Sequence, residues 1–274
     1  MVFVIAISGA SCSGKSTLSL SLRNHFRNGI SNAFKSSFER PQGPFEKANR
    51  DWCVLIQQDD FFHQPWSRPL VRVRLQSGVE VENWEEKDAI DWESLEMEIK
   101  KAHKLLEEVE NEERRRRSKR EKGERGDRES VLLVEGFSLL YSSFVYHLAD
   151  IVLLLDIDPK TAKERRLRRC RFELPLYFDE MIWPYHEKYH SYLSHQYHFT
   201  PCSHSLLSKN VEGKPIYSIS LLEREKEAFD LSCFHFLLSY FAHLKKSEKQ
   251  KDSELRFLFL FLFLFLLFFI HFYE

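Results

Sequence analysis

Near its start the chain reads Gly9-Ala-Ser-Cys-Ser-Gly14-Lys15-Ser16: two glycines with four residues between them, then a lysine and a hydroxyl. Residue types at this spacing bind phosphate. The glycines let the backbone curl so that successive N–H groups point inward at an anion. A lysine at the end of such a loop reaches the terminal phosphates, and the neighbouring serine hydroxyl can hold Mg²⁺. The pattern is that of a nucleotide-binding P-loop. Gly9, Ala10, Ser11, Cys12, Ser13, Gly14, Lys15, Ser16 and Thr17 are then the residues that cradle the phosphates.

Three further groups fit chemistry on a bound triphosphate. Gln57-Gln-Asp59-Asp60-Phe-Phe62 follows a short apolar run and places carboxylates where α/β folds bind ligands. A helix cap or a turn is the other use of Asp59-Asp60. Glu135 ends the run Val131-Leu-Leu-Val, and a carboxylate there suits the water shell of Mg²⁺. Lys163, Arg165, Arg166, Arg168, Arg169 and Arg171 form an arginine-rich stretch that can neutralise charge on a transferring phosphate. The plainer reading of that stretch is a solvated basic face.

These groups need a scaffold, and the sequence supplies one. Val2–Ile7, Cys53–Gln57, Val131–Val134 and Ile151–Leu155 are continuous apolar runs, as expected of strands buried on both faces of a parallel sheet. A helix is expected from Lys15 to near Asn28-Gly29. Another is expected from Asp91 to about Glu108, where Leu95, Ile99, Ala102 and Leu106 recur at helical spacing. Asp158-Pro159 opens the helix that carries the arginines. Residues 63–83 read as loop, Pro184 onward as helix, Lys214–Ile219 as a short strand, and Leu221 to about Leu244 as a last amphipathic helix.

Composition narrows the classes. The chain has 274 residues, a net charge of -1 and 30% charged residues, which points to no polyanionic partner such as nucleic acid. Its five cysteines (Cys12, Cys53, Cys170, Cys202, Cys233) include no C-x-x-C pair, which suits a reducing cytosol and argues against a zinc site. Residues 30–51 read as a surface insertion. The charged stretch 107–129 reads as a solvated helix extension and loop, because acidic residues flank and nearly cancel its basic block. Residues 1–245 form the expected catalytic domain. Residues 246–274 are a polar linker and a tail in which Phe257–Ile270 is a Phe/Leu-rich run of about 14 residues, short of the ~20 that a helical span needs. The tail reads as a low-complexity extension rather than a membrane anchor.

The motif set resembles the nicotinamide riboside kinases, within the uridine-kinase-like group of P-loop small-molecule kinases. The shared pieces are Gly9–Thr17, Gln57–Phe62, Asn83-Trp84-Glu85, Val134-Glu135-Gly136-Phe137, the arginines of 163–169, and Tyr177-Phe-Asp179 with Trp183-Pro184. They cover roughly residues 1–195 outside the two insertions. The resemblance implies a three-layer α/β P-loop domain with a five-stranded parallel sheet, helices on both faces and a small helical lid. It implies a Mg²⁺-ATP-dependent kinase acting on the 5′-hydroxyl of nicotinamide riboside. Asp59 would be the catalytic base, Glu135 and Ser16 the metal site, and Arg165, Arg166 and Arg169 the lid arginines. Trp84 would stack on the nicotinamide ring, Glu85 would contact the ribose, and Phe172 would supply a second aromatic. The family commonly has Asp where this chain has Glu85, so the ribose contact comes from a longer arm. A uridine or cytidine kinase is the neighbouring reading. A non-catalytic nucleotide-binding protein with a membrane-associating tail is the distant one.

Overall fold

The computed structural model describes residues 2–28, 52–64, 67–117, 130–170, 175–197 and 216–220. All of them lie in one compact unit, Met1–Lys226. The expected insertion at 30–51, the loop after Arg117, Phe172, the final helix from Leu221 and the Phe/Leu tail lie outside the described residues.

The four apolar runs are the strands of one parallel sheet. They are β1 (Phe3–Gly9), β2 (Cys53–Gln57), β5 (Val131–Gly136) and β6 (Ile151–Asp156), in the order β2-β5-β1-β6. Between β2 and β5 the chain also forms a small antiparallel pair, β3 (Arg72–Arg74) and β4 (Glu80–Glu82). A further strand, β7 (Ile216–Ser220), runs parallel beside β6, with Val152 opposite Ile216. Every residue of β1 and β5 is buried, which explains why both read as unbroken apolar runs. The register pairs Ile7 with Glu135 and Gln57 with Glu135, so the polar ends of the strands fall at one level.

Helices flank the sheet. Alternate side chains of the strands (Val4, Ala6, Leu132, Val134, Val152 and Leu154) share a core with Leu95, Ile99, Ala102 and Leu106 of α2 (Trp92–Arg117). The other alternation brings Ile5, Ile7 and Leu133 out on the opposite side, and all three are fully buried. Helix α1 (Lys15–Asn28) packs against β1, β2 and β5. Helix α2 continues past Glu108 to Arg117, into the charged stretch expected as a helix extension. Its charged extension is laced with i,i+4 pairs such as Arg114 to Glu110 at 2.7 Å, which stabilise an exposed helix by about 0.3–0.5 kcal/mol each.

The stretch 63–83, expected as loop, contains the β3–β4 hairpin. Arg72, Val73 and Arg74 face Glu82, Val81 and Glu80, and Gly78 turns the chain at φ +82°. Only the valines face inward. They pack with Leu75 against Tyr177, Phe178, Met181 and Ile182. A short helix, α3 (Ser143–Leu148), capped by the Ser142 hydroxyl on the Val145 N–H, precedes β6. Helix α4 (Pro159–Arg169) starts as the sequence suggests: Asp158 caps it by accepting from the Thr161 N–H, with Pro159 in the first turn. Beyond it the chain enters a short helix, α5 (Pro175–Tyr177), passes through a π turn at Phe178–Ile182, and continues into α6 (Trp183–Tyr197). Helix therefore begins before Pro184.

Candidate active site

The glycine loop expected to bind phosphate joins β1 to α1 and owes its shape to three residues with positive φ: Gly9 (146°), Cys12 (64°) and Gly14 (99°). The glycines take these angles at no steric cost, whereas a cysteine does not. A Cβ on Gly9 would collide with the Leu155 carbonyl oxygen, so the loop can lie this close to β6 only with glycine there. The Ser13 N–H donates to the Ala10 carbonyl at 3.2 Å, and α1 begins with the Leu18 N–H on the Gly14 carbonyl. Ser16 is half-buried in the first turn of α1 and Thr17 is exposed.

Lys15 is buried, and its ammonium donates to the Ala10 carbonyl at 2.9 Å. Burial pushes the ammonium below the usual lysine range, and the charges of Glu135, Asp59, Cys12 and Glu85 oppose that shift. Lys15 thus sits in the field of three carboxylates from three separate segments. Ser13 Oγ is buried beside it with no hydrogen-bond partner. A curled loop, a buried ammonium and a buried unpaired hydroxyl fit a phosphate chain, which would supply the missing acceptors.

Glu135, only 4% exposed, ends β5 and accepts from Gln57 Nε2 at 2.7 Å. Next to it, Gly136 leaves room for the Gln58 side chain, which a Cβ there would strike. Gln58 Nε2 donates to Ser138 Oγ at 3.2 Å, and Gln58 Oε1 accepts from the Ser138 N–H at 3.1 Å. This pins the turn Gln58–Phe61 after β2. Asp59 and Asp60 lie exposed on that turn. Partial burial, then the neighbouring Asp59 charge, raises the Asp60 carboxyl above the usual range.

Helix α4 brings two of the three expected arginines to the loop. Arg165 Nη1 donates to the Cys12 carbonyl at 3.3 Å, and Arg166 Nη1 donates to Ser11 Oγ at 3.0 Å. Arg165 Nε and Nη2 are buried with no hydrogen-bond partner, so this guanidinium keeps donors in hand for an anion. Arg169 is exposed in the last turn and makes no hydrogen bond to the loop among the described residues. Lys163 is paired with Asp179 of the π turn, which ties α4 to the segment before α6.

Trp84 and Glu85 are half-buried on the turn after β4. The Trp84 ring meets Phe62 at 82° with centroids 5.5 Å apart, and Phe62 stacks on Phe137 at 5.9 Å. The aromatic residues of Gln57–Phe62 and Glu135-Gly-Phe137 therefore form a wall that reaches Trp84.

No protein-family model matches this chain, and no curated protein matches it.

Some residues at the site were not singled out from sequence. Gln57 and Gln58 organise the strand ends; the sequence places both in the Gln57–Phe62 motif but assigns neither a role. His186 on α6 lies in the field of Lys15, and burial pushes its imidazole down to about 3, with His190 and Lys15 adding to the effect. The ring meets His190 edge-on, with centroids 4.5 Å apart, and lies 5.1 Å from Trp183. Its helical spacing from Trp183 and His190 was the available signal. Among the described residues no three His, Cys, Asp or Glu side chains cluster to hold a metal, and no helix is long and apolar enough to cross a membrane. A Mg²⁺ held mainly by water and substrate phosphates needs only one carboxylate and a hydroxyl from the protein.

Proposed function

We propose that this chain is a Mg²⁺-ATP-dependent kinase that phosphorylates the 5′-hydroxyl of nicotinamide riboside to give nicotinamide mononucleotide. One observation carries the reading: the buried Lys15 ammonium shares its field with Asp59, Glu85 and Glu135, from three segments far apart in sequence. A donor loop, a base, a metal carboxylate and an acceptor residue in one field are what phosphoryl transfer to an alcohol requires.

Bound Mg²⁺-ATP would supply the activated phosphoryl group and a divalent charge to offset its oxygens. Lys15 and the loop N–H groups hold the phosphates. Arg165, with two donors unengaged, and Arg166 meet charge on the transferring group from the α4 side. Glu135 and Ser16 hold the metal's water shell. Asp59, exposed at the strand end, accepts the proton of the attacking hydroxyl. Trp84 stacks on the nicotinamide ring, where a cationic pyridinium gains cation–π attraction, and Glu85 binds the ribose hydroxyls. In this reading the sheet is the five-stranded core of a P-loop kinase domain. The segment from α4 through the π turn is its lid, and the scattered cysteines suit a cytosolic protein.

The test is steady-state phosphorylation by the full chain with Mg²⁺-ATP of nicotinamide riboside, uridine and cytidine. A higher kcat/KM for nicotinamide riboside is expected. Preference for uridine would reassign the acceptor, and ATP binding without turnover on any riboside would make the chain a non-catalytic nucleotide binder.

A further inference from the structure

We infer that Tyr185, in the first turn of α6, is a positioning residue for the acceptor: its hydroxyl locks the turn that presents Trp84 and Glu85. The substrate side of this inference rests on the kinase reading above; the lock itself rests on geometry. Asn83 Nδ2 donates to Tyr185 Oη at 2.7 Å, and that hydroxyl in turn donates to Glu86 Oε1 at 3.0 Å. Trp84 and Glu85 are the two residues between these anchors. Asn83 is 1% exposed, and its other amide atom, Oδ1, accepts from the Glu85 N–H at 3.1 Å. The Asn83 N–H donates to the Val71 carbonyl at 2.8 Å. One buried amide thus shapes the turn at one end and grips α6 at the other.

The phenol is itself held. Lys188 lies over the Tyr185 ring at 5.1 Å and within 3.6 Å of Glu86 Oε1. The ring packs against the buried cluster that includes Leu75, Tyr177 and Phe178, on which Val73 and Val81 of the hairpin also pack. One turn further along α6, the Tyr189 hydroxyl is hydrogen-bonded to Ser8 Oγ at 2.9 Å and accepts from the Leu140 N–H at 2.9 Å. Helix α6 therefore grips the end of β1, just before the phosphate loop, with Tyr189, and the acceptor turn with Tyr185. The spacing between donor loop and acceptor turn is set by one rigid helix, and in-line transfer is sensitive to displacements of about 1 Å.

Tyr185→Phe deletes one oxygen and keeps the ring. In the full chain it is expected to raise the riboside KM about tenfold and to leave the ATP KM unmoved. Amide exchange across residues 83–86 accelerates about tenfold by the same reasoning, while exchange in the phosphate loop does not change. Glu86→Ala, which removes the acceptor of the phenol, moves the riboside KM the same way by a smaller factor. Equal rises in both KM values, or unchanged exchange at 83–86, would overturn the inference. If the wild-type chain phosphorylates no riboside, the kinase reading falls and exchange alone decides. Acceleration confined to 83–86 upholds the lock, and no acceleration sinks it.

Discussion

Gln57 Nε2 donates to Glu135 Oε1 across 2.7 Å, joining the C-terminal ends of two neighbouring parallel strands at a register-matched pair. The bond holds a nearly buried carboxylate at the strand end where a nucleotide's metal would lie. Removing the carboxylate by Glu135→Ala should cut turnover on the order of 100-fold and raise the Mg²⁺ needed for half-maximal rate. Gln57→Ala, which only frees the carboxylate to rotate, should cost on the order of 10-fold. A Mg²⁺ titration of turnover checks both. Equal effects from the two variants would mean that the pair is only a strand-end clasp.

Lys15 is expected to be a stability cost in the ligand-free chain. Burial outweighs the surrounding carboxylates and leaves its ammonium below the usual lysine range. The sign follows from proton linkage. Between the folded value and 10.5 the unfolded chain holds more protons, so this group's contribution to stability rises with pH. At pH 7 the charge is present and its burial is unfavourable. Lys15→Met should therefore raise the ligand-free Tm. It should also abolish the rise in Tm that Mg²⁺-ATP gives the wild type by mass action. Thermal unfolding with and without nucleotide reads both effects, and a variant still stabilised by nucleotide contradicts the role given to Lys15.

Gly9→Ala tests the loop's geometry. The φ of +146° is strained for any L side chain, and the new Cβ meets the Leu155 carbonyl oxygen, which is backbone and cannot swing aside. A loss of roughly 2–4 kcal/mol is expected, or on the order of 5–15 °C in Tm. A Tm within about 1 °C of wild type, well inside the effect of an ordinary surface substitution, would show that the loop does not approach β6 this closely.

The candidate donor half of the proposed site was legible as a loop and strand ends because its signals are local. Gly9–Ser16 lies within one loop, and β1, β5 and β6 are apolar throughout because both faces are buried. Asp59 and Glu135 stood out as acids at the ends of such runs. The acceptor half depends on contacts across the chain. Tyr185 meets Asn83 over 102 residues and Glu86 over 99. No periodicity encodes those pairs, so Tyr185 read only as part of the helix beyond Pro184. The hairpin was missed for a different reason. Its strands, Arg-Val-Arg and Glu-Val-Glu, expose two charges for each valine and resemble loop in composition, although their strict alternation and Gly78 were a readable signal. The charged end of α2 was legible as a helix extension without an exact end, because propensity and ion pairs such as Arg114 to Glu110, not an apolar stripe, carry it to Arg117.

His186 makes stability sensitive to acid. Burial holds its imidazole neutral down to about 3, with His190 and Lys15 opposing protonation as well. His190 is lowered too, mainly by burial, although Asp156 pulls it the other way. The unfolded chain takes up the proton near 6.5, so stability is full above that pH and falls as pH drops from 6.5 toward 3. His186→Gln, which cannot titrate, should shrink the difference in urea midpoint between pH 7 and pH 5. An unchanged difference would place the acid sensitivity on other groups.

In the proposed kinase, Asp59 takes the proton of a riboside hydroxyl while Lys15 and its loop hold the phosphates. Single-turnover phosphoryl transfer from Mg²⁺-ATP to nicotinamide riboside, comparing the full chain with Asp59→Ala, tests it most directly. Transfer is expected to slow by roughly 10²–10⁴-fold in the variant, with ATP affinity kept. Transfer at a near-wild-type rate by Asp59→Ala would contradict it.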